Sequence, residues 1–406
     1  MSSPGPESEI TRRAAQADGS EAAQTSVYVH FPYCARKCPY CDFATRGMPA
    51  SSIPHADYAS AVLAELHERA PQLEGRTLRS VFFGGGTPSL WETAELGRTL
   101  RGILEAFPQR ASDLEITVEC NPSSFTDDKA RGLADAGVNR VSLGVQSMND
   151  ERLRFLGRLH DSAQALAALR VASQHFQRVS ADFMFGMPDQ ESAALRDELG
   201  RVLDLGVRHV SCYALTIEPD TQFGALHREG KLRVATEDHY ADMFQAAERA
   251  FAGQGLAHYE VSNYAVPGEE SRHNLHYWRG GDYLGLGAAA VGCLLTRPGH
   301  AQRWRNMPDG HAFVRREAEN SGRREAEVED LDGATLLRES LMLGLRTAEG
   351  VDVAFAEARA GMPLETGRER ALATAKSRGQ VVLEDGRLRV PREQWLALDG
   401  IVASLF

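Results

Sequence analysis

The chain has 406 residues, 43% hydrophobic and 25% charged, with 37 glycines and 17 prolines. That is the make-up of a folded protein of two or three domains at roughly 100–200 residues each, and it excludes collagen-like, coiled-coil and wholly disordered chains. Lys and Arg number 45 against 56 Asp and Glu, a formal net charge of −11 that does not favour coating a nucleic acid or an anionic bilayer.

No stretch approaches ~18 apolar residues and the N-terminal segment lacks the apolar centre of a signal peptide, so a cytoplasmic chain without membrane insertion is expected. Residues 1–25 are rich in Ser, Gly, Pro, Glu, Gln and Ala with no aromatic residue, and are read as a disordered arm. From Ser26 onward, short β-rich apolar runs alternate with stretches of helical period. The runs are Val27–Phe31, Ser80–Phe83, Leu114–Glu119, Arg140–Val145, Ser180–Phe185 and His209–Leu215. Between them lie predicted helices at Asp57–Arg69, Thr93–Ala106, Asp127–Ala136, Asn149–Leu156, Ala163–His175 and Ser192–Leu205, most with a polar residue placed to cap the first turn. Strand–helix alternation of this kind builds parallel β/α units. An incomplete (β/α)6 barrel is favoured over a doubly wound open sheet, and either geometry puts the site at the carboxyl ends of the strands.

A helix over Glu237–Gln254 and an apolar run at His258–Val261 follow and are expected to flank the barrel. Arg315–Asp330 mixes charges without apolar periodicity and reads as a solvated linker or exposed helix at a domain boundary. Beyond it, Ala334–Gly344 and Val353–Ala360 are helical, and Gln380–Val390 reads as a hairpin turning at Asp385-Gly386. Helices followed by a hairpin predict a small winged-helix-like domain.

Three of the six cysteines, Cys34, Cys38 and Cys41, follow the first strand in a C-x3-C-x2-C spacing. Clustered thiols suggest a metal site. Thiolates are soft ligands for iron–sulfur clusters or zinc, and closed sites of either kind take four ligands. Three leave one position open, where a small bidentate group such as an amino acid's amine and carboxylate can bind. Cys120, Cys212 and Cys293 have apolar neighbours and read as core residues, although Cys120 ends a strand near the barrel mouth.

This loop, followed one β/α unit later by Gly84-Gly85-Gly86-Thr87-Pro88, resembles the radical S-adenosylmethionine (radical SAM) superfamily. The resemblance implies a [4Fe–4S] cluster on Cys34, Cys38 and Cys41. It implies S-adenosylmethionine against Tyr28, Gly84, Gly85, Gly86, Thr87, Glu119, Gln146, Arg158 and Asp182, with the carboxylates suited to ribose hydroxyls and the arginine to a carboxylate. Tyr40 matches an aromatic position beside a second S-adenosylmethionine in porphyrinogen-oxidising relatives.

Within the superfamily, Ser26–Phe406 is similar to the oxygen-independent coproporphyrinogen III oxidase group and most similar to its haem-chaperone branch. The oxidases extend the motif to a further cysteine and carry an aromatic N-terminal segment. Here Asp42-Phe43 follows Cys41 and the arm is polar. Arg272-His273-Asn274-Leu275-His276-Tyr277-Trp278 contains the H-N-x-x-Y-W signature of the chaperone branch. The resemblance implies noncovalent haem, with His273 the first candidate ligand and His276 the second, both on one helical face. A structural alternative stands beside it: Tyr277, Trp278 and Tyr283 pack the barrel end and His273 is hydrogen-bonded inside.

The expected domains are the arm (1–25), a barrel (26–265), a haem-motif segment with linker (266–330) and the winged-helix-like domain (331–406). The expected function is delivery of haem to haem-requiring proteins, possibly respiratory and membrane-bound, with an electron donor as a further partner. The alternative is a radical SAM oxidoreductase that decarboxylates coproporphyrinogen III propionates. RNA modification is disfavoured because the acidic chain lacks a dense basic stripe.

Overall fold

In the computed structural model, residues 24–319 and 324–406 are described. The expected N-terminal arm lies outside the described residues except for Gln24 and Thr25, which belong to the first strand rather than to an arm.

Six strands, β1 (Gln24–Phe31), β2 (Thr77–Gly85), β3 (Gln109–Cys120), β4 (Arg140–Gln146), β5 (Arg178–Phe185) and β6 (His209–Ala214), lie side by side in chain order, each parallel to the next. Strand order never reverses, which distinguishes a partial barrel from a doubly wound sheet. β7 (Ala257–Glu260) and β8 (Asn263–Ala265) extend the β6 edge antiparallel. On the other side β9 (Asp282–Leu286) runs parallel beside β1, and β10 (Val291–Arg297), β11 (His300–Asn306) and β12 (Glu325–Asp332) continue antiparallel. The twelve-stranded sheet ends in two free edges, β12 and β7, so the barrel is open.

Alternation along the parallel strands explains both faces. Val27, Val29 and Phe31, Val81 and Phe83, Val141, Leu143 and Val145 are buried in one apolar core. The alternate residues Ser26, Ser80, Glu115, Glu119, Ser142 and Asp182 face the opposite way. Side chains of these inner residues bond across strands, as Ser80 to Ser26 (2.8 Å) and Ser142 to Asp182 (2.8 Å). A parallel strand buried on both faces reads as a continuous apolar run; the polar alternate residues therefore mark a barrel lined for binding.

The covering helices are α1 (His55–Arg69), α2 (Thr93–Ala106), α3 (Asp127–Asp135), α4 (Asp150–Phe155), α5 (Ser162–His175) and α6 (Ser192–Leu203). α2 buries Leu96, Leu100 and Ile103, a single stripe at helical spacing. α5 starts at a capping box between Asp161 and Gln164. α7 (Gln222–Arg228) lies against the cysteine loop, and α8 (Glu237–Gly253) buries Met243, Ala247 and Phe251.

The segment expected to be a solvated linker or exposed helix contributes the end of α10 (Gly310–Glu319), as the helix alternative has it, and, where no strand was expected, most of the edge strand β12. Its charges hid the strand. In register, Arg303 stands opposite Glu329 and Arg305 opposite Glu327, so the glutamates pair across the ladder rather than marking a loop. Acidic side chains on an exposed edge also oppose pairing with other chains.

The C-terminal unit comprises α11 (Gly333–Gly344), α12 (Val353–Ala360), α13 (Glu369–Ser377), α14 (Leu398–Ala403) and a three-stranded antiparallel sheet of β13 (Val351–Asp352), β14 (Val382–Glu384) and β15 (Arg387–Arg389). The predicted hairpin is β14–β15, with Asp385 (φ 49°) and Gly386 (φ 75°) both left-handed at the turn. Its core of Leu337, Leu341, Leu388 and Ile401 is continuous with Cys293 and Ala301 of the large sheet.

Candidate functional site

The cysteine loop leaves the end of β1 and is fastened at both ends by backbone. Tyr33–Cys34 pairs in parallel with Arg46–Gly47, and the Met48 N–H donates to the Cys34 carbonyl (2.8 Å). Within the loop, the Cys41 N–H reaches the Cys38 carbonyl (3.2 Å) and Lys37 Nζ donates to the Phe43 carbonyl (2.8 Å). From outside, the Phe223 N–H of α7 donates to the Pro39 carbonyl (2.9 Å).

The glycine-rich turn after β2 docks on this loop. A Cβ on Gly86 would stand 2.6 Å from the Tyr33 carbonyl oxygen, and the Gly86 and Thr87 N–H groups donate to the carbonyls of Phe31 and Tyr33. Gly85 has φ +103° and lies against the His30 ring. His30 joins the two parts: its Nε2 donates to the Ala44 carbonyl (3.2 Å) and its Nδ1 accepts from the Tyr28 hydroxyl (3.0 Å).

The carboxyl ends of the barrel strands and this loop enclose a cavity of about 330 Å³. Cys34, Cys38, Cys41, Tyr40, Gly85, Gly86, Thr87, Glu119, Gln146, Arg158 and Asp182 all line it. Tyr28 and Gly84 do not. The Tyr28 ring stacks on Phe82 and, with it, fills the space a side chain on Gly84 would need, so this pair forms the layer beneath Glu119. Sequence reading missed Ser142, Tyr213, Thr216 and Glu218, which also line the cavity, and left Cys120 without a role although it lines the wall. Tyr213 donates to Gln146 Oε1 (3.0 Å), and Gln146 is held left-handed at φ 67°. Glu119 and Asp182 came from the family resemblance; position near a strand's carboxyl end, taken by itself, would have added Tyr213, near the end of β6.

The electrostatics suit a polar ligand with an anionic group. Burial, and then the neighbouring Asp182 carboxylate, pushes Glu119 up to about 8, while burial raises Asp182. Arg158 sends Nη1 to Cys38 Sγ (3.6 Å) and Nη2 to the Gly144 carbonyl (2.8 Å), and its Nε is buried without a partner. An orphaned guanidinium N–H in the cavity wall, near the Asp182 carboxyl, is a donor placed for a ligand. Burial raises the Cys34 and Cys41 thiols, and the guanidinium beside Cys38 supplies positive charge near the thiols. Among the described residues no set of three His, Cys, Asp or Glu side chains is arranged around a single metal ion. Three thiols spread along a cavity wall suit a cluster, in which the thiolates hold separate irons.

The second candidate region sits at the other end of the barrel. α9 (Arg272–Trp278) is capped by Ser271, and buried Glu115 of β3 accepts from the backbone N–H groups of Arg272 (3.2 Å) and His273 (3.0 Å). His273 points into the barrel, where Nδ1 is 2.8 Å from Ser80 Oγ and the ring stacks on Phe82 at 4.8 Å. His276 takes a different partner, the Asp282 carbonyl at 2.7 Å, so the two imidazoles do not present one shared face. Tyr277 packs on both His273 and Tyr283. Burial holds His273 near 3 and His276 near 4, leaving both rings neutral at pH 7.

No helix among the described residues is long and apolar enough to cross a membrane. The radical SAM superfamily profile matches residues 28–201 and the HemN C-terminal domain profile matches residues 331–396. The heme chaperone HemW of Escherichia coli K12 is 38% identical over 68% of this chain and 72% of its own length. The mitochondrial radical S-adenosyl methionine domain-containing protein 1 of Danio rerio is 33% identical over 95% of this chain and 88% of its own. Among solved structures, coproporphyrinogen III oxidase HemN of Escherichia coli superposes with a TM-score of 0.77, covering 99% of this chain and 93% of that one at 22% identity, a likeness of fold. The chain belongs to the radical SAM superfamily and, within it, to the heme chaperone HemW family.

Proposed function

We propose that this chain is a haem chaperone. It holds a [4Fe–4S] cluster at Cys34, Cys38 and Cys41 and S-adenosylmethionine in the adjoining cavity, binds haem at the opposite end of the barrel, and passes it to haem-requiring proteins. Respiratory-chain proteins are the proposed receivers, the cytoplasm the proposed compartment, and a separate redox protein the proposed electron donor.

The observation that carries the reading is one barrel with two differently equipped ends. The cysteine cavity occupies the carboxyl ends of the strands, while the Arg272–Trp278 helix closes the amino ends with neutral imidazoles and flat aromatic rings. The relatives named heme chaperone share more than a third of their aligned residues with this chain.

The test is incubation of anaerobically reconstituted, reduced protein with S-adenosylmethionine and coproporphyrinogen III, followed by chromatography of the products, alongside hemin titration. Saturable hemin binding without a vinyl-bearing product is the expected outcome. Formation of that product would make the chain an oxidase.

A further inference from the structure

The wall of the cysteine cavity turns sharply at the end of β4. Gln146 stands at φ 67° and the Ser147 N–H closes back on the Val145 carbonyl (2.9 Å), a γ-turn with a left-handed central residue. For a residue with a side chain that form is rare and strained, and it persists only where the surroundings hold it. Glycine would adopt it freely, yet this position carries an amide that lines the cavity.

One loop, between α4 and α5, holds the turn. Arg158 Nη2 donates to the Gly144 carbonyl (2.8 Å) and His160 to the Val145 carbonyl (3.1 Å), so two side chains take two consecutive carbonyls at the strand end. A carbonyl only accepts, which puts the His160 proton on Nε2. Burial, with the Arg158 guanidinium beside it, holds His160 near 4, so the ring is neutral at pH 7. Its Nδ1 is buried without a partner. An unpaired buried nitrogen costs stability that an apolar side chain of similar size would not, so packing alone does not account for an imidazole here.

His160 does not line the cavity; its hydrogen bond ends on the carbonyl next to Gln146. From the other side the Tyr213 hydroxyl donates to Gln146 Oε1 (3.0 Å), and a Cβ on Gly144 would stand 3.0 Å from Gln146 Nε2. The amide is thus fixed through backbone by His160 and through its own oxygen by Tyr213.

We infer that His160 is a positioning residue for the S-adenosylmethionine site: it touches no ligand, and it holds the left-handed turn that presents the Gln146 amide to the cavity. The inference rests on the reading of that cavity as the S-adenosylmethionine site.

The experiment is calorimetric titration of S-adenosylmethionine into the anaerobically reconstituted full chain, with thermal melting of each protein and electron paramagnetic resonance of the reduced cluster with and without S-adenosylmethionine. His160→Leu removes the donor and keeps the bulk. His160→Asn stays polar but its amide falls short of the Nε2 position, so it reads the same loss if His160→Leu folds poorly; His160→Gln restores an N–H near that position. Binding about tenfold weaker or more is expected for the first two, the worth of a buried hydrogen bond, with affinity recovered in His160→Gln. The spectral change on adding S-adenosylmethionine should weaken and recover in the same order. In a Gln146→Ala background His160→Leu should cost little more, because it acts through that amide. Wild-type affinity in folded His160→Leu or His160→Asn, no recovery in His160→Gln, or fully additive losses in the double variant would overturn the role of His160 while leaving the reading of the cavity intact. No saturable binding by wild type would overturn that reading itself.

Discussion

Glu115 and Glu119 project from the same face of β3, four residues and roughly 13 Å apart, and serve opposite ends of the barrel. Glu119 lines the cysteine cavity and accepts from the Gly85 N–H (3.2 Å), while Glu115 accepts from the first N–H groups of the Arg272–Trp278 helix. One rigid strand thus sets the position of both candidate sites.

Glu115 is fully buried and pairs with Arg178 (2.7 Å) and the buried Arg140 (4.0 Å). Glu115→Ala removes the compensating charge and the helix cap together, so a loss of about 3–5 kcal/mol is expected from chemical denaturation. Hemin affinity should fall with it. Unchanged stability would show that the carboxylate does not hold this end of the barrel.

The pH dependence of the cofactor-free protein tests Glu119. Its ordinary value is 4.5 and burial with Asp182 opposite raises it to about 8, so the folded state binds a proton that the unfolded state releases. The Gly85 N–H pulls the other way but does not prevail. The contribution is fully present below about 4.5 and is lost as pH rises towards about 8. Melting temperature should therefore fall between pH 5 and 9, and Glu119→Gln should flatten that fall by the equivalent of a few kcal/mol. Parallel curves for the two proteins would contradict the assignment.

Cys38→Ser should abolish the broad visible iron–sulfur absorbance of reconstituted protein, because two thiolates do not retain a site-differentiated cluster. Hemin binding should persist, since the cysteine loop and the Arg272–Trp278 helix stand at opposite ends of the barrel. Retention of a full complement of iron and sulfide would mean that other residues bind the cluster.

Arg158→Ala should weaken S-adenosylmethionine binding by about 10- to 100-fold, the range of a lost charge-assisted hydrogen bond. Calorimetric titration of reconstituted protein reads it directly. Arg158→Lys should recover little, because a point charge does not reproduce a fork that spans Cys38 and Gly144.

Most of the fold was legible because local periodicity and tertiary role agree. Thr93–Ala106 and Val353–Ala360 form over the predicted residues, and β4 and β5 start or end within two residues of prediction. The cysteine cavity was legible from the cysteine spacing and from the family resemblance, which supplied Glu119, Asp182 and Gln146; all three lie at or near strand ends. Three features were not. β12 hid behind its charges, because an exposed edge strand needs no apolar face. Tyr28 was placed against the ligand from its motif, whereas its hydroxyl is taken by His30. The divergence of His273 and His276 depends on Ser80 and the Asp282 carbonyl, partners distant from or merely following the helix, and no helical period encodes them.

Transfer is read by mixing the haem-loaded protein with an apo haem-acceptor and following both Soret bands after separation. Haem is expected to leave this chain and to appear stoichiometrically in the acceptor, faster than from a pool of free hemin. Haem that stays bound, or that reaches the acceptor no faster than free hemin does, would contradict it.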